Sequence, residues 1–449
     1  MTPRRVLLVS ANREVLPSPV MPLGVLYIAA ALRDHGHLVR ISDLCFEERP
    51  YDSLRRDLAA FGADVVGIGL RNLHANDYAP NGALLEYYRD LVETTREATS
   101  APIVLGGAAF SLQPETLLHT LGGDYGVAGE GEVTMPRLVD ALASGGQAER
   151  ISRSTVLREL GHQSPGAAGT LDGLPAPARD LVDPRYVQGD GTANVQTKRG
   201  CVFACTYCHY PDLEGRRVRV RSRAAVADEV AACARTPGVS HLFFVDSVFN
   251  APRWHALAVC EELVNRGSSL PWVCYASPAA LDDRLLDAMA RAGCVGIEIG
   301  SDAGTDRLLA RLRKPFVLAD IEAAHERIRA RGLSDCHTFV LGALDETPEE
   351  TRRTLEFVDR LDPDVAVFVV FVEDREARGP HRASHREEIL GLLANEAPRH
   401  PGWSVPELGI RFGEKVTRYA KRLGLRGPTW LHLAHARRAR FDGAFHGAE

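Results

Sequence analysis

Strand-like apolar runs alternate with helix-like stretches twice along the chain, and this double alternation restricts the fold more than any other feature. In the first block RVLLVS (5–10), LVRISDL (38–44), ADVVGIGL (63–70) and APIVLGGAAF (101–110) are near-continuous apolar runs. Between them, LGVLYIAAALRDHG, DSLRRDLAAFG and ALLEYYRDLVETTREAT carry apolar residues at helical spacing, and DYGVAGEGEVTMPRLVDALASG completes the pattern. Apolar strands without polar alternation are buried on both faces. Residues 1–150 are therefore predicted to form a doubly wound parallel sheet. Ligands of such sheets sit beyond the carboxyl ends of the strands, which here carry SANR, GLRNLHAND, GGAAFS and AGEGE. The second block, residues 193–372, has ANVQTKRG, HLFFVD, PWVCYASP, VGIEIG, CHTFVLG and VAVFVVF as strands with helical stretches between. About six strand–helix units are fewer than the eight of a closed barrel and predict a partial, open one. Residues 151–192, rich in Gly, Pro and Ala, read as a connector; residues 373–449 lose the strand signal and read as a small helical cap.

A chain of 449 residues exceeds a single core. Its 45% apolar and 25% charged residues are those of an ordinary globular protein. A net charge of -6 gives no general attraction to nucleic acid or anionic membrane. The basic stretches GPHRASHR and LHLAHARRARF read as a solvated helical face. No apolar run approaches the ~20 residues of a bilayer span, and the short VLLVS run lacks the features of a signal peptide. The expected location is the cytoplasm, with neither nucleic acid nor membrane as partner.

The nine cysteines lie at 45, 201, 205, 208, 233, 260, 274, 294 and 336. An odd number in a long chain without an export signal argues against a disulfide framework. Cys233, Cys260 and Cys294 sit in apolar context as buried thiols. The stretch KRGCVFACTYCHYP (198–211) is different, because it brings Cys201, Cys205 and Cys208 together. A structural zinc site closes with four ligands, and His209, adjacent to Cys208, points elsewhere. An iron–sulfur cluster held by three thiolates leaves one iron open to a substrate.

This CxxxCxxC loop, preceded by a strand and followed by strand–helix repeats, resembles the radical S-adenosylmethionine (SAM) superfamily. The resemblance implies a [4Fe-4S] cluster on Cys201, Cys205 and Cys208, whose open iron chelates SAM and cleaves it to a 5′-deoxyadenosyl radical. Tyr207 matches the aromatic that contacts the SAM adenine. FFVDSVFN resembles the second barrel strand, with Asp246 and Asn250 facing the site. VGIEIGSDAGTDRLLARLRK resembles the G-I-E-S-G segment, with Glu298 and Ser301 near the SAM ribose or methionine; IEIGS departs from the usual IES. TFVLGALDET resembles the fifth-strand segment, with Ala343, Leu344 and Asp345 in place of its usual middle and Gly342 admitting close backbone approach to the adenine.

A doubly wound domain ahead of such a core resembles the cobalamin-binding class, carried by MPLGVLYIAAALRDHGHLVRISD, ADVVGIGLRN, PIVLGGAAFSLQPE and GVAGEGEVTMPRLVDAL. The implied architecture is a Rossmann-like cobalamin domain, a partial (β/α)6 radical SAM barrel and a mainly helical C-terminal region. Gly106, Gly107, Gly129 and Glu130 would line the corrin and its nucleotide tail. The cobalt-ligating D-x-H-x-x-G motif is absent, and Asp34-His35-Gly36 has the letters without the spacing. Arg71 and Asn72 end the third strand on the corrin-facing edge. Arginine is a poor metal ligand, and Arg71 is assigned to the lower face of the corrin, with His74 as the competing ligand. The class implies a methyltransferase that uses methylcobalamin, a small-molecule substrate and an external electron donor of flavodoxin or ferredoxin type. The competing readings are a non-methylating rearrangement or cyclisation, an enzyme whose N-terminal domain has lost cobalamin, and a cobalamin or iron–sulfur sensor. Glu373, Asp374, Arg375, Trp403 and Trp430 are candidates for substrate contact from the cap.

Overall fold

The computed structural model describes residues 2–73, 83–143, 155–158, 170–343, 346–371, 380–412 and 414–441. Its first block forms β1 (Arg5–Ser10), β2 (Leu38–Asp43), β3 (Val65–Gly69), β4 (Ile103–Gly106), β5 (Tyr125–Ala128) and β6 (Thr155–Arg158). They make one parallel sheet in the order β2-β1-β3-β4-β5-β6. Odd and even residues of one strand serve different helix layers. Leu7 and Val9 pack with Leu54, Leu58, Tyr88 and Leu91, while Val6 and Leu8 pack with Ala29, Leu32, Met135 and Leu138. That is the doubly wound arrangement the apolar runs predict. The connector expected over 151–192 contributes β6, because TVLR can add one more parallel strand to the sheet edge.

The second block forms β7 (Thr192–Val195), a two-residue ribbon of β8 (Lys198–Arg199) and β9 (Arg219–Val220), then β10 (His241–Phe244), β11 (Trp272–Ala276), β12 (Cys294–Asp302), β13 (Ser334–Leu341), β14 (Val365–Val370) and β15 (Trp403–Ser404). The sheet order is β15-β14-β13-β12-β11-β10-β7, all parallel. Its six long-predicted strands are present, and β15 adds a short seventh. Helix starts follow local chemistry. Ser222, Asp282, Thr305 and Thr347 each accept a backbone N–H in the first turn, and Thr347 with Glu350 makes a reciprocal capping pair. Residues Leu242, Cys274, Ile297, Phe339 and Phe368 face these helices. The opposite, inner face carries Val273, Cys336 and Val365, against which the helix Thr429–Phe441 lays Trp430, Leu431 and Ala434.

The two units meet through buried ion pairs. Arg199, 7% exposed, donates to Glu132 (2.6 Å), lies 3.5 Å from Glu130 and stacks over the Tyr27 ring. Arg219 donates to Glu130 at 2.8 Å. Glu229 accepts from both Arg179 and Arg221. Removing one member leaves an uncompensated buried charge, at a cost of about 3–5 kcal/mol. Glu132→Ala is therefore expected to lower unfolding free energy by about that amount, and Glu132→Gln by less, since it keeps an acceptor. Chemical denaturation checks this; a loss below about 1 kcal/mol would show the pair to be solvated.

Candidate functional site

The cysteine loop is held at both ends. At its entry Gly200 adopts φ +93°, and a Cβ there would lie 2.4 Å from the Arg217 carbonyl, so the close ribbon crossing requires glycine. Gly200 N–H donates to Glu214 Oε2 (3.0 Å), Cys201 N–H to Gly215 (3.1 Å) and Thr206 N–H to Leu312 (3.2 Å). Cys201 is buried; Cys205 and Cys208 are half-buried, and none of the nine cysteines is in a disulfide. Burial pushes the Cys205 and Cys208 thiols up, while the Lys314 ammonium pulls both down. His209 is exposed and pairs with Asp212.

Lys314, which the sequence reading left out, is central to the loop. Its ammonium is 2.9 Å from the Tyr207 hydroxyl and salt-bridged to Asp302, and Tyr207 also donates to Asp302. Asp302 ends β12 in the left-handed region at φ +67°, strained backbone for a non-glycine residue. The Tyr207 hydroxyl is thus fixed against the end of β12.

The other expected residues divide by role. Asp246, fully buried, accepts from Thr197 N–H (2.7 Å), Thr197 Oγ1 (2.6 Å) and Lys198 Nζ (3.0 Å). Asn250 donates to the carbonyls of Ser277 (2.9 Å) and Ala279 (2.8 Å). Both tie strand ends together. Ser301 lies on the helix side of β12, 2.8 Å from His337 Nδ1, and not on the inner face with Glu298. Three residues apart on one strand, the two fall on opposite faces. Gly342 has φ +75°, and its N–H donates to Glu346 (2.6 Å). Trp403 is buried between His400 and Phe368 on the helix side. Trp430 instead enters the barrel, where its indole N–H donates to Glu298 Oε1 at 2.7 Å.

On the N-terminal unit, Gly107 has φ +95°, and a Cβ there would lie 2.4 Å from the Leu70 carbonyl. A Cβ at Gly106 would meet the Val127 carbonyl at 3.3 Å, whereas one at Gly129 (φ +82°) would meet nothing within 4 Å. Glu130 is taken up by Arg199 and Arg219, as described above. Asn72 offers its carbonyl to Tyr88 (2.8 Å), and Arg71 reaches Asn12 Oδ1 at 3.4 Å. The short helix Ala108–Leu112, which follows Gly107, packs against the helix Tyr210–Glu214 that begins two residues beyond Cys208. The crest of the N-terminal sheet therefore lies beside the cysteine loop. His35 pairs with Asp140 on the surface. His74, Leu344, Asp345, Glu373, Asp374 and Arg375 lie outside the described residues.

Residues 195–358 match the Radical SAM superfamily and residues 9–139 the B12 binding domain. The chain belongs to the cobalamin-binding class of the radical SAM superfamily. This radical SAM protein is 26% identical to the tryptophan 2-C-methyltransferase of Streptomyces laurentii, with 80% of this chain and 71% of that one aligned. It is 26% identical to the uncharacterized methyltransferase PH0819 of Pyrococcus horikoshii, over 80% and 78% of the two chains. Among solved structures it superposes on the radical S-adenosylmethionine methyltransferase TsrM from Kitasatospora setae with a TM-score of 0.77 at 22% identity, over 98% of this chain and 100% of that chain. That likeness establishes the fold.

The residues of this radical SAM protein fit the cofactors of its class. Three thiols on one loop suit a cluster better than a single ion. Among the described residues the one group compact enough for a lone ion is His325, Asp335 and His337, elsewhere in the barrel. The open space at Gly129 and the half-buried Arg71 leave a crest that a large planar ligand can cover. No helix among the described residues is long and apolar enough to cross a membrane. Burial pushes the Glu298 carboxyl up to about 7 from an ordinary 4.5, and the Trp430 bond offsets only part of this. The folded value lies above the unfolded one, so the neutral form is favoured. The stability this confers is present below about 4.5 and is lost as pH rises through about 7. Unfolding of Glu298→Gln is expected to depend less on pH across that window than unfolding of the parent chain; parallel thermal melts from pH 4.5 to 8 check it, and identical slopes would place Glu298 in solvent.

Proposed function

We propose that this chain is a cobalamin-dependent radical SAM methyltransferase acting on a small-molecule natural product bound in its barrel. The observation that carries the reading is the packing of the short helix Ala108–Leu112, at the ligand-facing crest of the cobalamin domain, against the helix Tyr210–Glu214 just past the cysteine loop. Two cofactor sites that open on one cleft serve one substrate. When bound, the cluster supplies an electron for SAM cleavage and cobalamin supplies a methyl carrier.

The chain's own residues then have distinct tasks. Cys201, Cys205 and Cys208 hold the cluster and leave one coordination position to SAM. Lys314 brings a positive charge to the thiolate side of that loop, and Asp302 holds the ammonium and the Tyr207 hydroxyl in place. Gly106, Gly107 and Gly129 keep the crest low beneath the corrin. Arg71 would lie against the bound cobalamin, where a guanidinium offers no strong metal ligand. Methyl transfer as the reaction is supported by relatives named as a cytidylyl-2-hydroxyethylphosphonate methyltransferase from Streptomyces wedmorensis and a hopanoid C-3 methylase from Methylococcus capsulatus. The reducing electron comes from an external flavodoxin- or ferredoxin-type donor.

Anaerobic protein supplied with cobalamin during expression is expected to carry about four irons and about one cobalamin per chain. Cys205→Ala should lose iron and SAM cleavage and keep cobalamin; retained cleavage would overturn the cluster assignment. Arg71→Ala should change the cobalt absorption spectrum, and an unchanged spectrum would remove Arg71 from the lower face.

A further inference from the structure

The two faces of the barrel sheet differ in what they leave open. Under the surrounding helices the sheet is closed, from Leu242 to Phe368. On the inner face, among the described residues, the helix Thr429–Phe441 covers the lower part, through Trp430, Leu431 and Ala434. A Cβ at Gly296 would lie 2.5 Å from the Trp430 ring, so the indole rests directly on β12. Above this floor, toward the strand ends that also carry Asp302, the inner side chains stay partly open. Tyr275 is 40% exposed although β11 is paired on both sides. Its ring centroid is 4.8 Å from that of Phe243. Thr338, Val340 and Val369 are half-buried, and a Cβ at Gly300 would meet nothing closer than 3.7 Å.

Between floor and mouth, the inner positions of β10 to β14 carry one ionisable carboxyl, Glu298. Its Oε1 accepts from Trp430, and its Oε2 has no hydrogen-bond partner among the described residues. Tyr275 on β11 and Cys336 on β13 flank it in register. An apolar pocket with one convergent polar group is the usual form of a small-molecule site.

We propose that this wall is the substrate pocket and that Glu298 Oε2 takes the N–H or O–H donor of a neutral, ring-bearing substrate. The inference rests on the methyltransferase reading above. The aromatic pair and the valines take the ring, and the open β12 backbone at Gly300 lets it approach closely. The carboxyl already accepts an indole N–H from Trp430, so a second donor of the same kind suits its remaining oxygen. A buried acceptor left unpaired is costly, so the site rejects analogues that lack the donor.

The probes are indole and 1-methylindole, which differ only in that donor, titrated calorimetrically into the anaerobic full-length holoprotein. Indole is expected to bind at least about tenfold tighter. Glu298→Leu should reduce the preference to within about twofold, and so should Glu298→Gln, whose one amide oxygen is taken by Trp430 and whose NH2 donor then faces the probe. SAM affinity should stay within about twofold in both variants. Equal binding of the two probes to the parent chain overturns the proposal, as does a preference that survives Glu298→Leu or Glu298→Gln. A tenfold loss of SAM affinity in Glu298→Gln assigns the carboxyl to SAM and overturns it too. Should Glu298→Leu not fold, the parent chain and Glu298→Gln still decide. Iron and cobalamin are measured on the same samples. A parent chain that lacks either counts against the methyltransferase reading; full cofactors without probe discrimination count against the pocket alone.

Discussion

Two consecutive cations join the halves of this protein. Neighbouring side chains of a strand point to opposite faces, and β8 is a strand of two residues, Lys198 and Arg199. Lys198 goes into the barrel, where Asp246 and the Phe249 carbonyl receive its ammonium at 3.0 Å each. Arg199 goes the other way, into the Glu130 and Glu132 carboxylates of the cobalamin-binding domain. Cys201 follows two residues later. The cysteine loop is thus suspended from a point fixed to both units at once, and the distance from the crest of the N-terminal sheet to the loop follows from it. Isolated buried charges would be prohibitive here. These are tolerable because each is hydrogen-bonded as well as paired.

Much of this was legible in the sequence, and the reasons for success and failure are physical. The strands were readable because a parallel sheet buried on both faces needs continuous apolar runs, as in RVLLVS and VAVFVVF. The cysteine spacing was readable because a cluster loop fixes its ligands locally. Side-chain direction was not. Ser301 and Glu298 are three residues apart on β12 and so take opposite faces, but which of the two turns inward is set by long-range partners, His337 for Ser301 and Trp430 for Glu298. Trp403 and Trp430 look alike in sequence; one stacks under helices and the other fills the barrel. Glu130 resembles a ligand-loop acid, yet its partners Arg199 and Arg219 lie about 70–90 positions away. Lys314 went unnoticed because nothing local marks a lysine that reaches back to Tyr207.

The helix side of the barrel explains why β12 can end in a strained residue. Ser301 meets His337, His337 meets Asp335 (3.2 Å), and His325 also donates to Asp335. Asp335 and Asp364 exchange backbone contacts, and Arg438 of the C-terminal helix closes the chain on Asp364 at 2.9 Å. The two imidazoles hold the Asp335 carboxyl well below the usual carboxylate range. Every proton has a place: Ser301 donates to His337 Nδ1, and the Nε2–H of His337 and the Nδ1–H of His325 both go to Asp335. A fully satisfied buried network is rigid. It fixes the residue immediately before Asp302.

That rigidity gives the two faces of one sheet different duties. The helix side gathers the polar groups and satisfies them internally, so it offers nothing to a ligand. Among the described residues of β10 to β14, the inner side has Glu298 as its one carboxyl between floor and mouth, and that carboxyl has one hydrogen-bond partner, Trp430. Asp302 stands where the faces meet. It is held from behind by the Ser301 network and in front grips Lys314 and Tyr207 beside Cys205. The C-terminal helix touches both sides of this arrangement. Arg438 belongs to the rear network and Trp430 to the pocket floor, eight residues or about two helical turns apart. A change in how that helix seats would therefore reach the substrate wall and the cluster loop together, because the same rigid strand carries both.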